Sequence, residues 1–175
     1  GMLLDWGVHL LDQLMNMIDS PVISVDAHLL SLFTPRVDDN IKIMIRFGNG
    51  LSALIEMATN CLINHPRWHV CATDGTCVID DWSCKGRIVK LNTDEQMEWA
   101  DDIVYTEAGP TRTMAPRPKQ TMQELPLPEV VSDWACYYRN IMDTLDGKAE
   151  LIAKPEQALR VMKVIDLMFK SEEVK

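Results

Sequence analysis

The 175-residue sequence lacks the features that mark several large protein classes. No apolar run approaches the ~20 residues that a membrane-spanning helix needs, so we expect no transmembrane segment. No basic region precedes an apolar stretch at the N-terminus, where Asp5 and His9 interrupt the first apolar residues, so no signal peptide is indicated. The formal net charge is -9 and no basic cluster is present. Nucleic acid and anionic membranes are therefore not expected as partners.

The cysteines also lack a recognisable pattern. The chain has five, irregularly spaced, and no two form a C-x-x-C pair, so neither a zinc knuckle nor a redox motif is indicated. A free thiol within an apolar run behaves as a small hydrophobic side chain. We therefore expect free cysteines and a cytoplasmic location, where the cytosol is reducing.

Motifs for nucleotides and for nucleophilic catalysis are missing as well. No G-x-G-x-x-G follows a strand, and neither a P-loop nor a G-x-S-x-G elbow occurs. Strands and helices do not alternate in the way that a Rossmann sheet requires. We therefore expect that the chain contains no dinucleotide-binding half and that no cofactor binds to it alone. Gly1, which precedes Met2, is interpreted as a tag remnant.

The hydrophobic pattern predicts one helix followed by a run of strands. Apolar residues at helical spacing indicate a helix from Leu4 to Ile18. Strands at Ile41–Phe47 and Leu51–Ala58 flank Asn49-Gly50, a sequence typical of a tight hairpin turn. Further strands are predicted at residues 22–33, 68–72, 76–80, 87–91 and 103–105.

The second half of the sequence predicts a loop and two more helices. Five prolines between Glu107 and Pro128 indicate a loop. A helix follows at Glu129–Leu145 and ends before Gly147, and another runs from Pro155 to about Phe169. The apolar stripe of this last helix is predicted to consist of Ala158, Val161, Met162, Ile165 and Phe169. The apolar residues of the first of these helices are expected to face the core: Val130, Trp134, Tyr137, Tyr138, Ile141 and Leu145.

This order of elements predicts one α+β domain over residues 1–175. We expect an open, mostly antiparallel β-sheet with helices packed on one face. The other face must then be solvated or paired with a second subunit. A homo-oligomer that forms through the open sheet face is the expected assembly, because two-fold pairing is the commonest solution.

Asp5, His9 and Asp12 form the one group of residues with evident acid–base chemistry. Offsets of four and three residues place them on one face of the first helix. A carboxylate one turn away can hold one imidazole nitrogen, while the other nitrogen exchanges a proton with a substrate hydroxyl. Spacing alone favours a structural interpretation, in which Asp5 caps the helix and His9 is partly buried. A zinc or manganese site is a further alternative, for which the sequence offers no additional ligand.

A longer pattern around these residues resembles the C-terminal domain of the Gfo/Idh/MocA oxidoreductase family, which includes glucose–fructose oxidoreductase and inositol dehydrogenase. Asp5, Gly7, His9 and Asp12 match the family's Asp-x-Gly-x-His-x-x-Asp. The later landmarks follow in the family's order: Asp38-Asp39-Asn40, Phe47-Gly48-Asn49-Gly50, Thr73-Asp74-Gly75-Thr76, Tyr138-Arg139-Asn140 and Ala158-Leu159-Arg160-Val161.

The resemblance implies an enzyme that transfers hydride between NAD or NADP and a carbinol carbon of a sugar or polyol. It implies that His9 is the general acid/base, that Asp5 orients His9 or contacts the substrate hydroxyl, and that Asp12 lies behind them without a catalytic role. The family's catalytic lysine, in a Glu-Lys-Pro motif, and its dinucleotide site belong to an N-terminal domain and have no counterpart in this sequence.

Arg67 and Trp68 are candidates for substrate binding, because an aromatic ring can stack on a sugar and a guanidinium can bind its hydroxyls. The structural alternative is a tryptophan packed on a sheet face. Two functional hypotheses follow. The chain is either the substrate-side domain of an NAD(P)-dependent dehydrogenase, inactive alone, or a non-catalytic module that assembles with itself or with a separate cofactor-bearing subunit.

Overall fold

The computed structural model describes residues 1–92, 101–114 and 118–173. These residues form α-helices and β-strands in an α+β arrangement, which confirms the predicted fold class. The helices are α1 (Val8–Met17), which continues from a π-helical turn at Leu3–Gly7, α2 (Ala135–Leu145) and α3 (Pro155–Glu173). The strands are β1 (Val22–Leu30), β2 (Asn40–Phe47), β3 (Ser52–Ala58), β4 (Trp68–Cys71), β5 (Gly75–Ile79), β6 (Gly86–Leu91), β7 (Asp101–Thr106), β8 (Gly109–Met114) and β9 (Met122–Pro126).

The described strands pair into three antiparallel sheets. The first has the order β1-β2-β3, the second has the order β4-β5-β6-β9, and β7 and β8 form a two-stranded hairpin. The antiparallel pairing was predicted from the succession of short strands and turn residues. The division into three sheets was not predicted, because the alternation of residues within a strand does not determine which other strands pair with it.

Contacts divide the chain into two compact units. One comprises Gly1–Ile63 and Asp133–Lys175, and the other comprises Asn64–Ser132. The three α-helices and the first sheet lie in the first unit, whereas the other two sheets lie in the second. Units of this size also occur within single domains, so the prediction of one domain over residues 1–175 stays a prediction.

The core of the first unit follows from the alternation of β2. Ile41, Ile43, Ile45 and Phe47 are buried, while the residues between them are exposed. α3 packs against β1, where the backbone N–H of Ala27 donates to the Ser171 hydroxyl at 3.2 Å. Helices therefore cover one face of this sheet and leave the other open, as the alternation predicted.

Arg160 joins α3 to the C-terminal end of α1. Its guanidinium donates to the carbonyl oxygens of Met15 at 3.2 Å, Ile18 at 3.2 Å and Ser20 at 2.8 Å. The last carbonyls of a helix have no partner within the helix, and a cation at that end also favours the helix dipole. One side chain thus satisfies the Met15 carbonyl in the last turn of α1 and two carbonyls just beyond the helix.

The buried carboxylate of Asp39 explains why β1 ends before Phe33, where the sequence had predicted its end. Its oxygens accept the backbone N–H groups of Leu32 at 2.8 Å, Phe33 at 2.7 Å and Thr34 at 2.6 Å. These groups can no longer take part in strand pairing, so the chain turns after Leu30.

The same contacts lower the pKa of Asp39. The N–H of Leu32 is the largest cause, burial of the carboxylate works against it, and the N–H groups of Phe33 and Thr34 add to the lowering. Because the folded-state pKa lies below the unfolded-state value of about 3.9, the stability that this carboxylate contributes is complete above that value. That contribution is lost as the pH falls through the folded-state pKa.

We therefore expect Asp39→Asn to be less stable than the wild-type chain at pH 7, and the difference to shrink as the pH falls below about 4. Asparagine keeps the size of the side chain but offers one acceptor oxygen in place of two. Urea unfolding of both proteins at a series of pH values measures the difference. If the difference in the free energy of unfolding stayed constant down to pH 3, the charge of Asp39 would not contribute to stability.

The predicted loop from Glu107 to Pro128 is wrong in part, because β8 and β9 lie within it. Residues 115–117 of this segment lie outside the described residues. Pro110 lies in β8 and Pro126 ends β9. Both strands are at the edge of their sheets, where proline is tolerated because one row of N–H groups has no partner strand. Proline content therefore indicated edge strands in this segment.

The predicted core-facing helix at Glu129–Leu145 is also wrong in part. α2 begins only at Ala135, and its large apolar residues are exposed except Ile141, which is half-buried. Tyr137 and Tyr138 do not pack in the core; their rings contact each other edge to face, with centroids 5.4 Å apart. An amphipathic pattern shows that a helix has an apolar face, but not what covers that face.

The last helix was predicted more closely. α3 begins at Pro155 as predicted, and Val161 and Ile165 of its predicted stripe are buried, next to Val164 and Met168. The other predicted members of the stripe are exposed: Ala158, Met162 and Phe169. The buried side of α3 therefore consists of Val161, Val164, Ile165 and Met168, and it differs from the predicted stripe.

Candidate functional site

Asp5 and His9 lie on the exposed side of the first helix. Asp5 belongs to the π-helical turn, and His9 is the second residue of α1. Leu3, Gly7 and Leu11 are buried, whereas the Asp5 and His9 side chains are exposed. The helix thus presents a carboxylate and an imidazole to solvent from a backbone that is anchored in the core.

The π-helical turn at Leu3–Gly7 alters the spacing on which the sequence prediction relied. Its hydrogen bonds span five residues instead of four, so side chains at its level turn away from their regular helical positions. Such turns are rare and are frequent at functional sites. No pattern in the sequence indicated this turn, because a single wide turn leaves the hydrophobic period almost unchanged.

Trp6 is the described neighbour of the His9 ring. The two ring centroids are 6.5 Å apart and the planes meet at 72°, an edge-to-face arrangement. In the part of the chain that the structure describes, no hydrogen bond joins the Asp5 carboxylate to the His9 ring. Trp6 was not among the predicted site residues, although its place three residues before His9 could have identified it.

Asp38 holds the beginning of this helix. Its carboxylate accepts the backbone N–H of Leu3 at 2.7 Å, and its carbonyl accepts that of Met2 at 2.9 Å. The first N–H groups of a helix lack partners within the helix, so this loop residue acts as a cap from a distant part of the chain. Asp38 and Asp39, which the sequence showed as one landmark, therefore position the site helix and the neighbouring loop.

Asp12 is hydrogen-bonded to a polar side chain one turn further along α1. It is half-buried, and its carboxylate accepts a hydrogen bond from Asn16 at 3.3 Å. Asn16 in turn accepts a bond from Gln157 of α3 at 3.4 Å. Asp12 therefore belongs to the contact between α1 and α3.

Arg67 and Trp68 belong to the second unit. The Arg67 guanidinium lies 3.5 Å from the centre of the Trp82 ring, a cation–π contact. Trp68 is half-buried at the start of β4, opposite Ile79. The aromatic partner of Arg67 is thus Trp82, which the sequence did not single out.

The start of α2 carries a charged cluster. The Asp133 carboxylate accepts hydrogen bonds from the Arg139 guanidinium and, at 2.9 Å, from the backbone N–H of Ala135. The hydrogen bond from Arg139 is the largest cause that lowers the pKa of Asp133. Arg139 also donates to the thiol sulfur of Cys136 at 3.1 Å. The cluster caps the helix from its polar side.

The described residues do not fit a dinucleotide. Their strand pairs are all antiparallel, and no glycine-rich turn leads from one of these strands into a helix. Within residues 1–92, 101–114 and 118–173, no group of three His, Cys, Asp or Glu side chains could hold a metal ion. The same ranges contain no helix that is both long and apolar enough to cross a membrane. The five cysteines are free thiols.

Residues 1–78 match the family model described as the GFO/IDH/MocA C-terminal domain. An NAD-binding protein from Listeria innocua is 38% identical with a TM-score of 0.86, over 99% of this chain and 50% of that chain. An oxidoreductase from Bacillus cereus is 15% identical with a TM-score of 0.70, over 97% of this chain and 48% of that chain. A UDP-N-acetylglucosamine 3-dehydrogenase from Acidithiobacillus ferrooxidans is 12% identical with a TM-score of 0.69, over 95% of this chain and 47% of that chain.

The last two similarities concern the fold alone. This chain spans about half the length of the three solved proteins. No curated protein matches the sequence.

Proposed function

Because the chain belongs to the GFO/IDH/MocA C-terminal domain family, we propose that it is the substrate-binding and assembly domain of an NAD(P)-dependent sugar or polyol dehydrogenase. The observation that carries this proposal is the exposed pair of Asp5 and His9 on a helix whose start is capped by Asp38. Both residues match the family pattern, and both side chains are open to a ligand.

His9 supplies the acid–base step. As a carbinol is oxidised, the imidazole would take its hydroxyl proton. A nicotinamide bound outside the described residues would accept the hydride from the carbon, which leaves a carbonyl. The contact with Trp6 holds one edge of the ring and leaves the imidazole accessible. The exposed Asp5 carboxylate accepts no hydrogen bond from the His9 ring in the described residues, so we assign Asp5 to the substrate hydroxyl.

The nicotinamide cofactor binds outside the described residues, which do not fit a dinucleotide. The Listeria innocua relative is an NAD-binding protein of about twice the length, and this supports NAD or NADP as the cofactor of the whole enzyme. Arg67 and Trp68 are proposed to contact the sugar or polyol. The Arg67 guanidinium is stacked on the Trp82 ring, and Trp68 lies at the start of β4.

A titration with NADH and NADPH tests whether the cofactor site lies outside this chain. We expect neither to bind this chain alone, by fluorescence and by calorimetry. The comparison protein is a two-domain chimera, in which the half of the Listeria innocua protein that this chain does not match is fused ahead of Met2. This order is the one that a C-terminal domain implies. The chimera should bind NADH or NADPH. Micromolar binding to the chain alone would contradict the proposal, because a cofactor site would then lie within these residues.

The open face of the first sheet favours assembly as a second function of the same domain. Met44 and Leu54 are opposite each other on this face and are exposed. Beside them, Lys42 forms an ion pair with Glu56 at 3.4 Å, and Arg46 donates to the Ser24 hydroxyl at 2.8 Å. An apolar centre with a polar rim of both charges is typical of a protein interface and can pair with its own copy.

We expect Met44→Asp to weaken a dimer formed through this face, because a charge would be placed at its apolar centre. Sedimentation velocity at several protein concentrations measures the change. Leu62→Asp is the matched control, since Leu62 is exposed and lies outside the sheet. A wild-type chain that stays monomeric at high concentration, or a dimer that Met44→Asp leaves intact, would rule out pairing through this face.

A further inference from the structure

The exposed side of α2 carries a continuous row of large apolar side chains. Trp134, Tyr138, Ile141 and Leu145 are spaced four, three and four residues apart, which places them on one side of the helix. The exposed fractions of Trp134, Tyr138 and Leu145 are 88%, 69% and 77%, and Ile141 is half-buried. We call these four residues the α2 stripe.

The stripe is exposed in a helix that needs tertiary contacts. α2 has 11 residues and no buried residue among them. Isolated helices shorter than ~12–15 residues are only marginally stable in water, and most helices in proteins are stabilised by packing of their apolar face. Another surface must therefore cover the stripe in the functional protein.

The polar side of α2 is already in contact with its own chain. Asn140 donates to the carbonyl of Glu150 at 2.8 Å and accepts the backbone N–H of Ile152 at 2.9 Å. Arg139 binds Asp133 at the start of the helix. These contacts hold the helix by its polar side, so the stripe is presented outward to a partner.

A second copy of α2 is a poor fit as that partner. A stable interface between copies buries about 1,200–2,000 Å² in total and involves about 20–30 residues on each side. Four side chains on a helix of three turns provide only a small part of such an interface. Contacts between domains of one protein are smaller, from about 600 Å², and are often more polar.

The length of the relatives indicates a different partner. The Listeria innocua, Bacillus cereus and Acidithiobacillus ferrooxidans proteins are matched over 50%, 48% and 47% of their lengths, so each carries a further half of similar size. We propose that the α2 stripe is the surface on which the dinucleotide-binding half docks. The stripe contains a tryptophan and a tyrosine, which are residue types that interface cores favour. This inference rests on the proposed function, since it takes the partner to be the cofactor-bearing half.

The test compares α2 in this chain with α2 in the two-domain chimera, by hydrogen exchange. We expect amide exchange of Ala135–Leu145 to be at least ~10-fold slower in the chimera, because a docked helix opens less often. Tyr138→Asp and Leu145→Asp should remove that protection and lower the thermal midpoint of the chimera. Tyr105→Asp is the matched control, since Tyr105 is 80% exposed on the β7–β8 hairpin. It should change neither quantity.

The proposal also predicts how Tyr138→Asp and Leu145→Asp affect the thermal midpoint of this chain alone. There the side chains are exposed, so the thermal midpoint should stay within about 1 °C of the wild-type value. A fall of several degrees would show that the stripe packs within the chain, and would overturn the proposal. So would equal exchange of α2 with and without the other half, or protection in the chain alone that rises with concentration, which would identify a second copy as the partner.

NADH binding by the chimera separates this inference from the proposed function. A chimera that binds NADH while α2 exchanges freely overturns the docking surface and leaves the proposed function intact. A chimera that protects α2 but binds neither NADH nor NADPH supports the docking surface and contradicts the dehydrogenase proposal.

Discussion

Replacing His9 with alanine in an enzyme that joins this domain to its cofactor-bearing half should lower kcat by about 10²–10⁴-fold, the usual contribution of a positioned acid or base. The Kd for NADH should stay unchanged, because the proposed function places the cofactor site outside these residues. His9 is exposed and touches Trp6, so its removal should leave the core intact. Steady-state rates with D-glucose, myo-inositol and UDP-N-acetylglucosamine as test substrates, together with an NADH titration, measure both quantities.

Two further measurements distinguish the loss of an acid–base group from a structural change at the site. Added imidazole should restore part of the rate of His9→Ala, since a small base can occupy the empty space. His65→Ala is the control, because His65 is exposed and lies outside the proposed site. Asp5→Asn should raise KM as well as lower kcat, if Asp5 contacts the substrate hydroxyl. Unchanged turnover in His9→Ala would refute the assignment of His9.

Replacing Arg160 with alanine should lower the free energy of unfolding by about 2 kcal/mol, and the thermal midpoint by about 4–8 °C. Its guanidinium donates to three carbonyl oxygens at and beyond the C-terminal end of α1. Loss of the side chain leaves these acceptors partly buried and without a charged donor. Because α1 continues from the turn that carries Asp5, the substitution should also loosen the site helix. Urea unfolding monitored by circular dichroism gives the free energy directly.

Two variants show whether geometry or charge is responsible. Arg160→Lys keeps the charge but offers one compact donor group, so it should recover only part of the stability. Lys163→Ala removes an exposed cation from the same helix and should change stability by less than about 0.5 kcal/mol. If Arg160→Ala were as stable as Lys163→Ala, the contacts of Arg160 would contribute nothing measurable.

The elements that the sequence predicted well are those with a strong local cause. β2 and β3 were predicted within one residue at each end, because alternation and the Asn49-Gly50 turn agree. Gly50 adopts φ of 85°, the left-handed conformation that this turn needs. The segments predicted poorly depend on distant residues. β1 ends where the Asp39 carboxylate captures backbone N–H groups, and β9 exists because β6 offers it an edge.

The candidate site was predictable in composition but not in detail. The spacing of Asp5 and His9 predicted that one helix carries both, and the structure places both on its exposed side. The π-helical turn and the cap from Asp38 could not be predicted, because each depends on hydrogen bonds that no local pattern encodes. Their catalytic roles stay predictions until His9 and Asp5 are substituted.

The order of the chain has a consequence for protein synthesis. Ala27 of β1 meets Ser171 of α3, residues that emerge from the ribosome 144 positions apart. At about 5–20 residues per second, the first sheet waits for several seconds before the helix that covers its apolar face is made. During that time Ile41, Ile43 and Ile45 have no cover from α3. We expect nascent chains that end before Pro155 to bind chaperones, and binding to fall once α3 has left the exit tunnel.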